Sequence, residues 1–154
     1  MDRQIRAAQY FLDGYNCAQA VLAAFSDVTG LSPERSARMA SSFGGGMGRM
    51  REVCGAVSGM LMVTSLLYGY DPTAGDEVKK AHYALVQKLA GQFREEVGSI
   101  ICREILKNPP SDPNPTPRTK EFYEKRPCAH MVMLATRIME DYIRENPPVL
   151  PISE

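Results

Sequence analysis

The chain has no tryptophan, two histidines and four cysteines in 154 residues. Neither charge is in excess, since 18 lysines and arginines face 18 aspartates and glutamates. Without a basic surplus there is no general source of phosphate-backbone affinity, so a nucleic-acid binder is not expected. Four cysteines are too few for a disulfide-stapled miniprotein, and a chain of this length buries a core that needs no staples. The longest apolar stretch, Gly59 to Tyr70, is interrupted by Thr64 and Ser65 and falls short of the ~20 residues that span a bilayer. Met1-Asp2-Arg3-Gln4-Ile5-Arg6 carries both signs of charge and no apolar run follows it, so no secretory signal and a cytoplasmic setting are expected. No Cys-x-x-Cys occurs, which removes zinc-ribbon knuckles and thioredoxin-type motifs. No Cys-x-x-Cys-His occurs, which removes covalent c-type haem.

What is present is helical periodicity, with no strand pattern and no internal repeat, so the fold class is all-α. The organisation reads as one helical domain over residues 1–146 and an extended tail over 147–154. Asp2 to Leu12 reads as a first helix with Ile5, Ala8 and Leu12 on its apolar face. Asn16 is an N-cap candidate for a second helix reaching Phe25, with Cys17 in its first turn. Ser32-Pro33-Glu34 starts a third: a cap, a proline at the first helical position and an acid in the first turn. After the glycine run Gly44-Gly45-Gly46-Met47-Gly48 comes a helix over about 51–69, apolar or small on all sides, which belongs at the centre of a multi-helix bundle. Gly55 and Gly59 share one face of it and invite another backbone close, at a helix-propensity cost of about 1 kcal/mol each. Asp76 to about Val97 is a long amphipathic helix with Val78, Tyr83, Val86, Leu89 and Phe93 as core candidates. A short helix from Ser99 to Leu106 contains Cys102. Prolines at 109, 110, 113, 115 and 117 make residues 108–117 an extended surface crossing. The last helix runs from Pro127 to Arg144. The apolar fourth helix and the crossing are also compatible with a homodimer.

The four cysteines stand far apart in sequence but in similar surroundings. Cys17, Cys54 and Cys128 each fall near the start of an expected helix, where free N–H groups and the positive dipole end favour thiolate. If those helix starts meet, low-pKa thiols gather at one place, as a metal, an iron–sulfur cluster or thiol–disulfide exchange requires. Taken singly, each cysteine reads equally well as a small core residue. The glycine run matches neither the dinucleotide fingerprint nor the P-loop. It is either a turn between packed helices or a backbone nest in which Gly45 and Gly46 approach a cluster or anion, with Arg49 or Arg51 supplying positive charge. His130, two residues after Cys128, is a candidate proton donor or alternative ligand. The methionines fit core spacing.

Gly14-Tyr15-Asn16-Cys17-Ala18-Gln19-Ala20-Val21, Gly44-Gly45-Gly46-Met47-Gly48-Arg49, Cys54-Gly55-Ala56-Val57-Ser58-Gly59 and single cysteines at 102 and 128 resemble the redox-active protein family named for its C_GCAxxG_C_C pattern. The likeness spans about residues 10 to 145. It extends to the helical non-haem part of split-Soret cytochromes, for which an iron–sulfur centre has been proposed. The resemblance implies redox activity resting on the cysteines. The expectation is therefore an iron–sulfur cluster held by Cys17, Cys54, Cys102 and Cys128 for electron transfer or redox sensing. Its electrons would pass to a redox partner protein or a small-molecule acceptor. Two alternatives stay open: a cofactor-free thiol oxidoreductase in which Cys54 attacks and a second cysteine such as Cys17 resolves, and a zinc-stabilised scaffold without turnover.

Overall fold

The computed structural model describes residues 2–149. Nine right-handed α-helices and one 3-10 turn (Ser41–Phe43) account for most of the regular structure of the described residues: α1 (Arg3–Leu12), α2 (Cys17–Ala24), α3 (Ser26–Thr29), α4 (Pro33–Ala40), α5 (Gly55–Tyr68), α6 (Asp76–Val97), α7 (Cys102–Ile105), α8 (Lys120–Lys125) and α9 (Cys128–Glu145). The all-α expectation holds. The helix starts also follow the local signals. Asn16 accepts a hydrogen bond from the Gln19 amide (2.9 Å) while Gln19 Oε1 accepts one from the Asn16 amide (2.8 Å), a reciprocal capping box. Ser32 caps α4 ahead of Pro33. Of the expected tail, residues 147–149 carry no regular structure and the remainder lies outside the described residues.

Two helices form the centre. α5 buries Ala56, Val57, Met60, Val63 and Thr64, as its all-round apolar character requires. α2 is buried still more completely, with Ala18, Ala20, Val21, Leu22, Ala23 and Ala24 all inaccessible. Alanines at that density make a thin helix, and thin helices pack closely on several sides. α1, α4, α5 and α9 all lie against α2. The approach to α5 is the tightest. A Cβ on Gly59 would sit 2.7 Å from the Ala18 carbonyl oxygen, and one on Gly55 would sit 3.1 Å from the Ala18 nitrogen and 3.2 Å from Cys17 Cβ. The paired glycines are therefore a packing device between two backbones.

Several faces depart from the expected stripes. α1 buries Ala7 and Phe11, not Ile5 and Leu12, which are 56% and 51% exposed. Phe11 is the larger anchor, stacked on Phe122 and edge-on to Tyr123, and it sets the rotation of the helix. In α6 only the second half is core: Leu89, Ala90 and Phe93 are buried, while Val78 and Tyr83 are exposed. α3 and α8 carried no periodic signal because each is a turn or so long.

The glycine contacts yield a paired expectation. Gly59→Ala forces the Ala18 carbonyl away and should lower stability by about 1–3 kcal/mol, despite its better helix propensity. Gly91→Ala, inside α6 with nothing within 4 Å of the added methyl, should raise stability by up to about 1 kcal/mol. Urea unfolding followed by circular dichroism measures both, and a neutral Gly59→Ala would show that the approach is not tight.

Candidate functional site

Helix starts bring the four cysteines together. Cys17 is the first residue of α2, Cys54 caps α5, Cys102 opens α7 and Cys128 opens α9. Cys102 was expected inside a longer helix; α7 begins only at Cys102, so all four share the same kind of position. The Gly55 contact sets Cys17 beside the start of α5. A short antiparallel pairing, invisible as a strand pattern, sets Cys102 beside Cys54. Val53 pairs with Ile101, the Cys54 amide donates to the Ile100 carbonyl (2.7 Å), and the Cys102 amide donates to the Glu52 carbonyl (2.6 Å). That register makes Cys54 and Cys102 diagonal neighbours on one face of the ribbon. The Cys17 and Cys128 thiols are close enough that a hydrogen bond between them is the leading influence on the proton affinity of both. All four cysteines line a single cavity of about 350 Å³.

The glycine run forms the next part of the wall. Gly45, Gly46, Met47, Gly48 and Arg49 all have positive φ, as does Arg51, so the chain makes a left-handed turn here. L-residues avoid that conformation at about 1–2 kcal/mol each, which explains the glycines and marks Met47, Arg49 and Arg51 as strained. A Cβ on Gly46 would collide with Cys102 Cβ at 2.7 Å and with the Arg51 Cα at 2.8 Å. The turn therefore lies against Cys102, and Gly45, Gly46 and Arg49 line the cavity with the cysteines.

The proline-rich crossing closes over one side. Pro113, Pro115 and Thr116 line the cavity. The crossing is pinned by arginines of the strained turn: Arg49 Nε donates to the Asp112 carbonyl (2.8 Å) and Arg51 Nε to the Pro110 carbonyl (2.9 Å). Arg118 follows it, donating to the Phe11 and Tyr15 carbonyls (3.0 and 3.1 Å) with its guanidinium over the Phe11 ring. Neither Arg118 nor Arg126 was singled out by sequence; both come from irregular segments with no periodicity to mark them. His130 is exposed and absent from the cavity wall, so it is not positioned to serve the thiols. One residue of helix separates Cys128 from His130, and that rotation turns them to different faces.

The electrostatics correct the expectation of uniformly acidic thiols. Burial pushes Cys54 up to about 12, outweighing the helix-start amides of Ala56 and Val57 that favour its thiolate. Burial likewise raises Cys102, against the pull of Arg51, whose Nη1 lies 3.7 Å from Cys102 Sγ. Cys17 is raised because it gives its proton to the hydrogen bond with Cys128, and because it is removed from water. Cys128 alone is lowered, to about 7, by that hydrogen bond, with Arg126 and Arg118 adding to it. Helix dipoles are worth at most about 2 kcal/mol, and desolvation of a buried thiol exceeds that.

Chemically, four sulfurs and four arginines around one cavity can hold a soft metal centre or cycle between thiol and disulfide. Among the described residues, no three Cys, His, Asp or Glu side chains gather closely enough to hold a single metal ion. No helix of the described residues is long and apolar enough to cross a membrane.

No curated protein and no solved structure gives a significant match. A family model described as "Putative redox-active protein (C_GCAxxG_C_C)" matches residues 15–142, a span that holds all four cysteines and the glycine turn. The cysteines that the pattern names are thus the ones that the fold gathers, and the chain belongs to the C_GCAxxG_C_C family of redox-active proteins.

Proposed function

We propose that the protein carries electrons, or senses redox state, through an iron–sulfur cluster held by Cys17, Cys54, Cys102 and Cys128. The observation behind this is the convergence of four cysteines, from four separate helix starts, on one cavity. The donor set is all sulfur, the set such clusters use. The cavity has room for more than one ion. The wide spacing of the ligands disfavours a lone zinc ion, which needs its four donors in one tight tetrahedron. Four thiolates bring negative charge into a buried place, and Arg49, Arg51, Arg118 and Arg126 stand around it. When bound, a cluster supplies a one-electron couple whose potential responds to nearby charge and to solvent exclusion. The chain's own part is to hold the sulfurs, exclude water at Cys54 and Cys102 (each 6% exposed) and hold arginine charge close. We assign the protein to the cytoplasm, where thiols stay reduced, with a redox protein or a small-molecule acceptor as its partner.

The experiment is anaerobic reconstitution with ferrous iron and sulfide, followed by metal and labile-sulfide analysis and a visible absorption spectrum. The expected protein is coloured and holds iron and sulfide together. Cys102→Ser and Cys128→Ser should each cut occupancy severalfold while the helical circular dichroism persists. A colourless, iron-free protein after reconstitution overturns the cluster.

The contact between Cys17 and Cys128 favours a second chemistry for the metal-free chain. Cys128 thiolate attacks an external disulfide, forming a mixed disulfide and releasing one thiol. Cys17 then attacks Cys128 sulfur, releasing the second thiol and leaving Cys17–Cys128 oxidised. Cys54, held protonated by burial, is ill suited to the attacking role that sequence suggested for it. In the reduced, metal-free protein, alkylation of Cys128 by iodoacetamide should rise with pH through about 7 and then level off, because the thiolate is the reactive form. Cys17→Ala removes the hydrogen bond and should move that midpoint upward. Peptide mapping by mass spectrometry follows both, and an unmoved midpoint would show that Cys17 does not stabilise the thiolate.

A further inference from the structure

The wall of the thiol cavity is cationic to a degree that the rest of this neutral chain does not share. Arg49, Arg51, Arg118 and Arg126 line it, and no aspartate or glutamate does. Two of the four are committed. Arg49 bonds the Asp112 carbonyl and Thr116 and pairs with the Asp112 carboxylate at 3.9 Å. Arg118 bonds the Phe11 and Tyr15 carbonyls and stacks on aromatic rings. The other two have capacity to spare. Arg51 is 3% exposed, bonds the Pro110 carbonyl and Cys102, and leaves Nη2 buried with no partner. The Arg126 guanidinium lies over the Phe122 ring, 5.2 Å from its centroid, and makes no side-chain hydrogen bond or ion pair with the described residues.

Unpartnered buried guanidinium is expensive, and like charges beside it add to the cost. Arg49 feels both Arg51 and Arg126, and their repulsion adds to burial in lowering its pKa. A fold that puts these groups together, strains Arg49 and Arg51 into positive φ to do so, and supplies no carboxylate in the wall has built a place for an anion. Guanidinium forks match two oxygens of one group better than they match a spherical ion.

We propose that this cavity binds a small oxyanion, of the phosphate or carboxylate class, between the guanidinium groups of Arg51 and Arg126. The site goes beyond the cluster assignment, because it is formed by arginines that hold no metal and is available to the metal-free chain. It places an anionic group next to the cysteines whichever redox chemistry they perform.

Isothermal titration calorimetry of inorganic phosphate, and separately of succinate, into the full-length reduced protein tests the site. Ionic strength is held constant with potassium chloride, and both metal-free and iron-reconstituted protein are used. Saturable binding of either probe is expected. Phosphate alone would mark a tetrahedral oxyanion site and succinate alone a carboxylate site. Arg126→Gln should weaken binding at least tenfold, about 1.4 kcal/mol. Arg137→Gln, which removes only the exposed pair with Glu96, should leave it unchanged. Arg51→Gln alters a buried group, so the partly exposed Arg126 decides the outcome, with thermal unfolding confirming that the variant is folded. The site is overturned if neither probe binds saturably to either form, or if Arg126→Gln binds as tightly as the parent. Phosphate binding to a chain that takes up no iron keeps the anion site and removes the cluster. A formed cluster with no anion binding in either state does the reverse.

Discussion

α5 lies against α2 with almost nothing between the two backbones. Gly55 and Gly59 supply the missing volume on one side, and Ala18 supplies it on the other. The contact fixes the thiol site, because Cys17 precedes Ala18 and Cys54 precedes Gly55. Were the helices separated by ordinary side chains, their starts would stand further apart and the two sulfurs would face different surroundings. The same closeness explains why α2 can be wrapped by α1, α4, α5 and α9 at once. A wide helix offers fewer neighbours.

The remaining two cysteines arrive by other means. Cys102 comes through backbone pairing of the segment before α7 with the segment before α5, and Cys128 comes through α9 packing on α1, α2 and α5. The left-handed glycine turn then closes against Cys102, at a distance that no Cβ on Gly46 would allow. Conformational strain at Met47, Arg49 and Arg51 is offset by this closure, because the strained residues include the two arginines that pin the proline-rich crossing over the cavity.

Burial and charge act against each other throughout the site. Water exclusion holds Cys54 and Cys102 in their thiol forms and the neighbouring Cys128, with burial, holds Cys17 in its own, while Cys17 and then the arginines draw Cys128 the other way. A cavity that protonates most of its thiols but surrounds them with guanidinium groups is poised toward negatively charged occupants. Bound metal, which demands thiolates, and bound anion both relieve the same excess of positive charge.

Much of the fold was legible along the chain. Asn16 with Gln19, Ser32 with Pro33, and the apolar run after Cys54 are local signals, and local backbone physics acts on them wherever they occur. The rotation of α1 was not legible, because Ile5 and Phe11 offer competing faces and only the distant Phe122 and Tyr123 choose between them. Nor were Arg118 and Arg126, which lie in irregular chain. For the site, sequence by itself determined the identity of the four cysteines and the placement of Cys17, Cys54 and Cys128 at helix starts, since caps, glycines and prolines govern where a helix begins; Cys102 joins them only because backbone pairing before it delays the start of α7. Only the tertiary structure decided that the four starts line one cavity, that Cys17 and Cys128 act on each other, and that Cys128 is the thiol drawn toward acidity. Those outcomes depend on burial and on groups that folding brings in from elsewhere in the chain, Cys17 and Arg51 beside Cys128 among them, and neither leaves a trace in local spacing.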